Sequence, residues 1–303
     1  MKSFIRLAVF TATLALVPTV VLADAVEEKN ILSGKAKLDP AQGYIFLQAP
    51  VRTFGMFLRE PDDATRADYQ KDWDAAFEKA RKKYERDLKS WENKVKLARD
   101  TGTPAPAKPA EVTREAFSIG PILLRDTVSF GPMFVYTKAD SLYTYLNAVK
   151  PGTYIYYGPL LNVPGQPAAG QCYCMGTVRF EVKAGQITDL GNALMALPVP
   201  AVPYSVGIQA MMQQNLERAA KGKEPVWVPP PLAFGVPDSL KALPAVQVEF
   251  HASGKLNNYF GVPIDRMPPI PGILDYRRDT VIDARTGSDV PNPPIMTQVR
   301  IKK

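Results

Sequence analysis

The stretch GTVRFEVKAGQITDLGN, residues 176–192, decides the fold because it alternates in character with a period of two. Apolar residues at 178, 180 and 182 alternate with charged residues at 179, 181 and 183. This alternation is typical of a β-strand with one buried and one solvated face. Ala184 and Gly185 then predict a turn, and residues 187–190 begin another strand.

The same pattern extends outward in both directions. Residues 44–47 and 51–58 predict two short strands, and residues 153–157 predict a third after the Pro151-Gly152 turn. Residues 245–254 alternate again, with 246, 248 and 250 expected to face inward. The predicted fold class is mainly β, an antiparallel β-sandwich with a long inserted amphipathic α-helix and a proline-rich extended C-terminal segment.

The inserted helix is predicted over residues 62–100. Of residues 62–99, 20 of 38 are charged and none is glycine or proline. Aromatic residues recur four or seven positions apart, which indicates a coiled-coil-like helix with an aromatic stripe. Gly102 and a Pro/Ala linker over residues 101–111 end it. The stripe residues are Tyr69, Trp73, Phe77, Tyr84 and Trp91.

This aromatic stripe has two interpretations. It forms the core seam of a helix lying on its own β-domain, or it is an exposed surface that binds a second chain. Tryptophan and tyrosine are common anchors at protein interfaces, so an envelope protein is the expected class of partner for the second interpretation.

The N-terminus predicts a secretory signal peptide over residues 1–23. Lys2 and Arg6 precede an apolar run, and Ala23 ends a small-residue cleavage site. We therefore expect an exported chain, periplasmic or extracellular after cleavage, with no later transmembrane segment. Removing Lys2 and Arg6 lowers the formal charge from +7 to +5. Export and the lack of a dense basic stripe argue against nucleic acid, but weak attraction to anionic envelope surfaces remains open.

The domain organisation follows from these patterns. A β-sandwich domain is expected over residues 31–193, interrupted by the helix and linker. Residues 194–303 are rich in proline, with a short helix predicted over 205–221 and a strand near 280–284. Proline cannot donate to a sheet ladder, so this region is expected to pack on the sandwich mainly as extended chain.

Two segments together resemble prealbumin-like β-sandwich modules of exported bacterial proteins. The segments are VKPGTYIYYG, residues 149–158, and CYCMGTVRFEVKAGQITDLGN, residues 172–192. The resemblance implies a binding or structural role and brings no catalytic residue. It rests on a PG-x-Y turn and an F-x-V-x-x-G strand, matched by Pro151, Gly152, Tyr154, Phe180, Val182 and Gly185.

Cys172 and Cys174, the two cysteines of the chain, have several interpretations. In an exported protein they form a disulfide if the chain turns tightly between them. If an unbroken strand runs from Cys172 to Val182, both cysteines are instead core thiols on the same face of the sheet as Val178. A β-bulge at Gly176 would turn them to the opposite face. Together with Met175 they offer sulfur ligands for Cu(I). A catalytic redox pair is a further alternative.

The sequence contains no recognisable catalytic set. Its one histidine, His251, is predicted on the polar face of a strand, and no nucleotide-binding glycine motif occurs. We therefore predict a non-enzymatic binding or structural protein of the bacterial cell envelope with no cofactor. The alternative is a soft-metal (copper) or redox-handling protein that uses Cys172, Cys174 and Met175. The oligomeric state is left open.

Overall fold

The computed structural model describes residues 25–139, 142–194, 214, 217–223 and 232–292. The prediction of a mainly β chain with one long helix is confirmed. The predicted signal peptide and most of the predicted helix over 205–221 lie outside the described residues, although residues 217–219 are helical. The chain divides into two compact units, Ala67–Pro121 and the described parts of Val21–Arg66 with Ile122–Lys303.

Ten strands of the larger unit, numbered along the chain, form two five-stranded sheets. Sheet A contains β1 (Gly43–Ala49), β4 (Thr137–Ala139), β5 (Leu142–Val149), β10 (Ile187–Asp189) and β11 (Ala245–Gln247), in the order β11-β10-β1-β5-β4. Sheet B contains β2 (Gly55–Arg59), β3 (Thr127–Phe130), β6 (Gly152–Gly158), β9 (Thr177–Val182) and β12 (His251–Ser253), in the order β12-β9-β6-β2-β3.

The remaining elements are short, apart from the long helix. They are α1 (Glu28–Leu32), the long helix α2 (Asp63–Thr101), the two-stranded ribbon of β7 (Leu160–Leu161) and β8 (Ala169–Gly170), and a three-stranded sheet of β13 (Leu274–Arg277), β14 (Thr280–Asp283) and β15 (Ser288–Asp289). Single 3₁₀ turns cover Ile122–Leu124 and Asp238–Leu240.

One core cluster draws on both sheets, as the packing of two sheets requires. It includes Ile45 and Tyr145 from sheet A, and Phe57, Tyr156 and Phe180 from sheet B. The alternation predicted for β9 is present, since 178, 180 and 182 are buried while 179 and 181 are exposed. Each sheet also has a second, covered face. Tyr44 and Phe46 of β1 lie in a separate cluster with Leu240 and, more peripherally, Ile31.

The expectation of purely antiparallel sheets is wrong for one edge of sheet A. There β1 runs parallel to β10, with Tyr44 opposite Ile187, and β10 runs parallel to β11. The reason is the connectivity, because β9 belongs to sheet B and the chain changes sheets before β10. A strand that enters a sheet from elsewhere has no hairpin partner to fix its direction.

The prediction of a single strand over residues 245–254 is also wrong. Residues 245–247 pair with β10 in sheet A, whereas residues 251–253 pair with β9 in sheet B. Val246 was expected to face inward and is 47% exposed, while Phe250 is buried. The alternating pattern is continuous in sequence, but the chain passes from one sheet to the other in the middle of it.

Arg59, at the end of β2, is the most heavily bonded buried cation of the described residues. Its side chain is 4% exposed. Its guanidinium donates five hydrogen bonds, two of them to the carbonyl oxygen of Pro151 at 3.0 and 2.7 Å. The others go to Asp62, to Asp126 at 3.1 Å and to the Thr65 hydroxyl at 3.1 Å. One side chain therefore joins β2, the start of α2, the β5–β6 turn and the loop before β3.

Gly152 in the Pro151-Gly152 turn is required by this arrangement. Its φ is +147°, a conformation that L side chains rarely adopt, and a Cβ there would lie 2.8 Å from Nε of Arg59. The turn carries the chain from β5 in sheet A to β6 in sheet B. The Pro-Gly pair thus lets the guanidinium approach the backbone at the corner between the sheets.

We expect Arg59→Leu to lower the free energy of unfolding by about 3 kcal/mol, because it leaves the part-buried carbonyl oxygen of Pro151 without its donor and removes the guanidinium that pairs with Asp62 and Asp126. Urea unfolding followed by circular dichroism measures this change. Arg81→Leu is the matched control, since Arg81 makes only exposed ion pairs on α2, and its effect should stay within about 0.5 kcal/mol. Equal midpoints for the two variants would contradict the assigned role of Arg59.

The hydrogen bond from Arg59 and the backbone N–H of Thr65 hold the pKa of Asp62 well below its usual range. A lowered folded-state pKa stabilises the protein above the unfolded pKa near 4, and this stabilisation is lost as the pH falls through the folded value. Asp62→Asn keeps an N-cap acceptor for Thr65 but loses the charge. Because Asp62 is half exposed, we expect a cost of about 1 kcal/mol at pH 7 that shrinks below pH 4.

Urea midpoints at pH 7 and pH 3.5 measure this difference. Asp238→Asn is the control, because Asp238 is 91% exposed and pairs only with the exposed Lys241. We expect it to unfold like the wild type at both values. A constant deficit of Asp62→Asn across the range would show that the charge on Asp62 contributes nothing.

Candidate functional site

A cleft of about 260 Å³ lies on the face of sheet B that points away from the shared core. Strand alternation defines this face. Tyr154 and Tyr156 of β6 enter the core, so Ile155 between them faces the opposite way. Ile155, Arg179 and Ser253 lie on neighbouring strands β6, β9 and β12, and the first two are directly paired in register. They form the floor of the cleft.

Two segments far apart in sequence form the walls. Glu60, Pro61, Arg66 and Leu123 stand on one side, and Gly254 with residues 290–292 on the other. The second wall packs closely, because a Cβ on Gly254 would lie 2.5 Å from the carbonyl oxygen of Pro291. Oδ1 of Asn292 also accepts a hydrogen bond from the backbone of Lys255 at 2.9 Å. The second wall is therefore held in place by contacts to the backbone of residues 254 and 255, and the lining of the cleft is partly apolar.

The charge in the cleft is unbalanced. Arg179 approaches Glu60 at 3.4 Å and is about half exposed. Arg66 forms no ion pair or side-chain hydrogen bond with any part of the chain that the structure describes. Two guanidinium groups thus face one carboxylate. Arginine presents a planar set of donors that matches carboxylate or phosphate oxygens in pairs.

Ser253 adds a second polar group without a partner. The residue is only 2% exposed, and its hydroxyl forms no hydrogen bond to the described residues. No fully buried side-chain polar atom of those residues lacks a partner, so the Ser253 hydroxyl is the part of the residue that stays in contact with solvent. Its neighbour Ala252 packs in the shared core, so the Ser253 side chain is on the cleft side of β12. This hydroxyl borders the cleft, so it is available to a molecule bound there in place of water.

The cysteines lie on the same face of sheet B, beside the cleft. Cys172 and Cys174 are joined as a disulfide with Cα atoms 5.1 Å apart, within the range that disulfides span. They are 0% and 2% exposed and pack with Met56, Leu58 and Tyr157. They are therefore not on the face of Val178. A turn separates them from β9, because the backbone N–H of Gly176, with a φ of +136°, donates to the carbonyl oxygen of Tyr173 at 3.2 Å.

The disulfide segment holds a stretch of chain, residues 256–265, that crosses this face of sheet B. Cys172 donates to the carbonyl oxygen of Pro263 at 3.0 Å, and its own carbonyl accepts from Asp265 at 2.8 Å. Leu256 donates to the carbonyl oxygen of Cys174 at 2.9 Å. Met175 is 37% exposed, unlike the cysteines. The described residues contain no group of three or more His, Cys, Asp or Glu side chains placed to hold a metal ion.

We expect mass spectrometry of denatured protein to show no alkylation of the cysteines without reductant and two labels after reduction. The bridged loop contains only three residues, so replacing both cysteines with alanine should cost only about 1.5 kcal/mol of unfolding free energy on the loop-entropy estimate. Two labels on the unreduced protein would contradict the bridge. The reduced sample serves as the control for complete labelling.

The aromatic stripe of α2 is partly covered within its own compact unit. The Trp73 and Phe77 rings stack at 5.2 Å, and both meet the Phe117 ring edge-on. Tyr69 donates to the carbonyl oxygen of Gly120 at 2.7 Å, and Trp91 to that of Pro106 at 2.8 Å.

The guanidinium of Arg114 lies 4.9 Å from the Trp73 ring centre, so the segment after the helix folds back along the stripe. Phe77 is buried, whereas Tyr69, Trp73, Tyr84 and Trp91 are all partly exposed. Partner binding by the stripe stays a prediction.

His251 lies next to Arg179 in the register of sheet B. Its Nδ1 is 3.2 Å from the Arg285 guanidinium, and its Nε2 is 3.7 Å from a Glu249 oxygen. The arrangement is a small surface charge cluster, as its predicted position on a polar face suggests.

No protein-family model, curated protein or solved structure matches this chain. None of the helices in the described ranges is both long and apolar enough to cross a bilayer.

Sequence reasoning missed the cleft. Arg66, Arg179 and Ser253 come from three distant segments, and each has the local pattern of an ordinary surface residue. The alternation in β9 placed Arg179 on a solvated face, which was the one available signal. Nothing in the sequence indicated that residues 290–292 would form the opposite wall.

Proposed function

We propose that this chain is an exported, non-enzymatic binding protein of the bacterial cell envelope, built as a β-sandwich that binds a small organic anion in the cleft on sheet B. The observation that carries the proposal is that two arginines and Ser253 line the same cleft as the apolar side chains of Ile155, Leu123 and Val290. Export is supported by the predicted signal peptide, and the sandwich by the core that both sheets share.

The chemistry of the lining defines the ligand class. Arg66 and Arg179 bind a carboxylate, and Ser253 hydrogen-bonds one of its oxygens. Ile155 and Leu123, with Val290 opposite, pack against an apolar body. The volume of about 260 Å³ equals about nine water molecules at roughly 30 Å³ each, so the ligand is small. A medium-chain fatty acid fits these limits.

The copper alternative receives no support from the described residues. The sulfur atoms of Cys172 and Cys174 are bonded to each other and are therefore not thiolate ligands. Partner binding through the aromatic stripe is compatible with a ligand-binding β unit, but no contact among the described residues favours it.

Isothermal titration calorimetry with octanoate tests the proposal on the purified mature chain. We expect saturable binding of octanoate and none of octanamide, which has the same length and no charge. Arg66→Gln or Arg179→Gln should each weaken binding by about tenfold or more, because a hydrogen bond to a charged group contributes roughly 1.5–3 kcal/mol.

Arg81→Gln is the matched control on an exposed arginine outside the cleft. It should leave the affinity unchanged. Equal binding of octanamide, binding that survives the loss of both cleft arginines, or failure of octanoate to bind at all would each overturn the proposal.

A further inference from the structure

Two loops meet at one end of the β unit. Residues 50–54 connect β1 to β2, and residues 131–136 connect β3 to β4, so each loop passes between sheets A and B. They touch where Gly131, with a φ of +58°, lies against the backbone of Thr53. A Cβ on Gly131 would be 1.9 Å from the carbonyl oxygen of Thr53. We name residues 50–54 and 131–136 together the loop tip.

The loop tip exposes large apolar side chains. Met133 is 75% exposed, Val51 63% and Phe134 50%. Single exposed apolar residues are ordinary on protein surfaces, but three on two touching loops mark a contact surface. The adjoining residues Tyr136 and Phe130 are buried. The loop can therefore direct apolar side chains into the core, and the exposure of these three is specific to their positions.

A rigid base supports the loop tip. The backbone N–H of Thr53 donates to the hydroxyl of Tyr145 at 2.9 Å. Tyr145 is 1% exposed, and its ring packs 5.6 Å from that of Phe130. The loop is thereby anchored to the shared core, which holds Val51, Met133 and Phe134 at the surface.

The charged side chains of the loop-tip segments and their flanks are cations, and one acid contacts the loop tip from outside. Glu28 donates its backbone N–H to the carbonyl oxygen of Tyr136, and its carboxylate accepts from Ser239, which hydrogen-bonds the buried Tyr136 hydroxyl. The Arg52 guanidinium lies 5.8 Å from the ring centre of Tyr143, and the Lys138 ammonium lies 5.0 Å from it. Neither cation forms an ion pair with the described residues. Residues 50–54 and 131–138 contain no Asp or Glu, and Asp140, the nearest acid along the chain, lies outside the described residues.

We propose that the loop tip docks the protein on an anionic lipid surface. Val51, Met133 and Phe134 enter the interfacial region of the bilayer, and Arg52 and Lys138 remain at the level of the anionic head groups. A uniformly anionic surface matches segments that carry two cations without an ion-pair partner, since the one acid that contacts them, Glu28, already accepts a hydrogen bond from Ser239. The proposal is independent of the cleft on sheet B.

Vesicle flotation with the purified mature chain tests the proposal. The probes are vesicles of pure phosphatidylcholine and vesicles that also contain about 30% phosphatidylglycerol, a typical anionic fraction. We expect the chain to float with the anionic vesicles, to stay in solution with the neutral ones, and to be released by high salt.

Separate variants measure the contribution of the cations and the contribution of the apolar side chains to vesicle binding. Arg52→Gln and Lys138→Gln should each reduce partitioning roughly fivefold, and Met133→Ser with Phe134→Ser should reduce it roughly tenfold. The controls are Leu97→Ser, which changes a leucine that is 62% exposed on α2, and Arg81→Gln. Both should partition like the wild type, and circular dichroism verifies folding of every variant.

Three outcomes would overturn the proposal. The first is no flotation with anionic vesicles, and the second is equal loss in the loop-tip variants and the controls. The third is a dimer in light scattering without lipid that Phe134→Ser dissociates, which would make a second copy of the chain the occupant of the loop tip.

Discussion

The buried guanidinium of Arg59 is the interaction on which the layout of the β unit depends. A charged group that is 4% exposed is stable only when its donors are satisfied, and five hydrogen bonds satisfy them. Those bonds fix the end of β2, the corner between the two sheets and the point where α2 begins. The Pro-Gly turn, the Asp62 cap and the position of Asp126 all follow from the requirements of one side chain.

The same corner bounds the candidate site. Glu60 and Pro61 follow Arg59 directly and form one wall of the cleft, so the bonds of Arg59 also position that wall. Elsewhere on this face of sheet B, residues 256–265 cover the strands and are tied down through the disulfide segment. The cleft is the part of the face that this covering chain leaves open.

The elements that the sequence predicted correctly are those defined by a local pattern of residues. Alternation in β9 and the charge-rich period of α2 are local, and both elements are present. The two failures have non-local causes. The pattern over residues 245–254 cannot say that the chain changes sheets at its middle, and the direction of β10 depends on β1, which is far away in sequence. The cleft is likewise made of distant residues, so no spacing in the sequence indicates it.

The late strands β11 and β12 have a consequence for biogenesis. They close one edge of each sheet, and they come from residues 245–253, near the end of the chain. Pairings between distant segments form slowly because the intervening chain must first be ordered. Until residue 253 has been made, β10 and β9 are the edge strands of the two sheets, and Phe250 and Ala252 are missing from the shared core. During synthesis, which proceeds from the N-terminus, the β unit therefore completes both sheets only after most of the chain has been made.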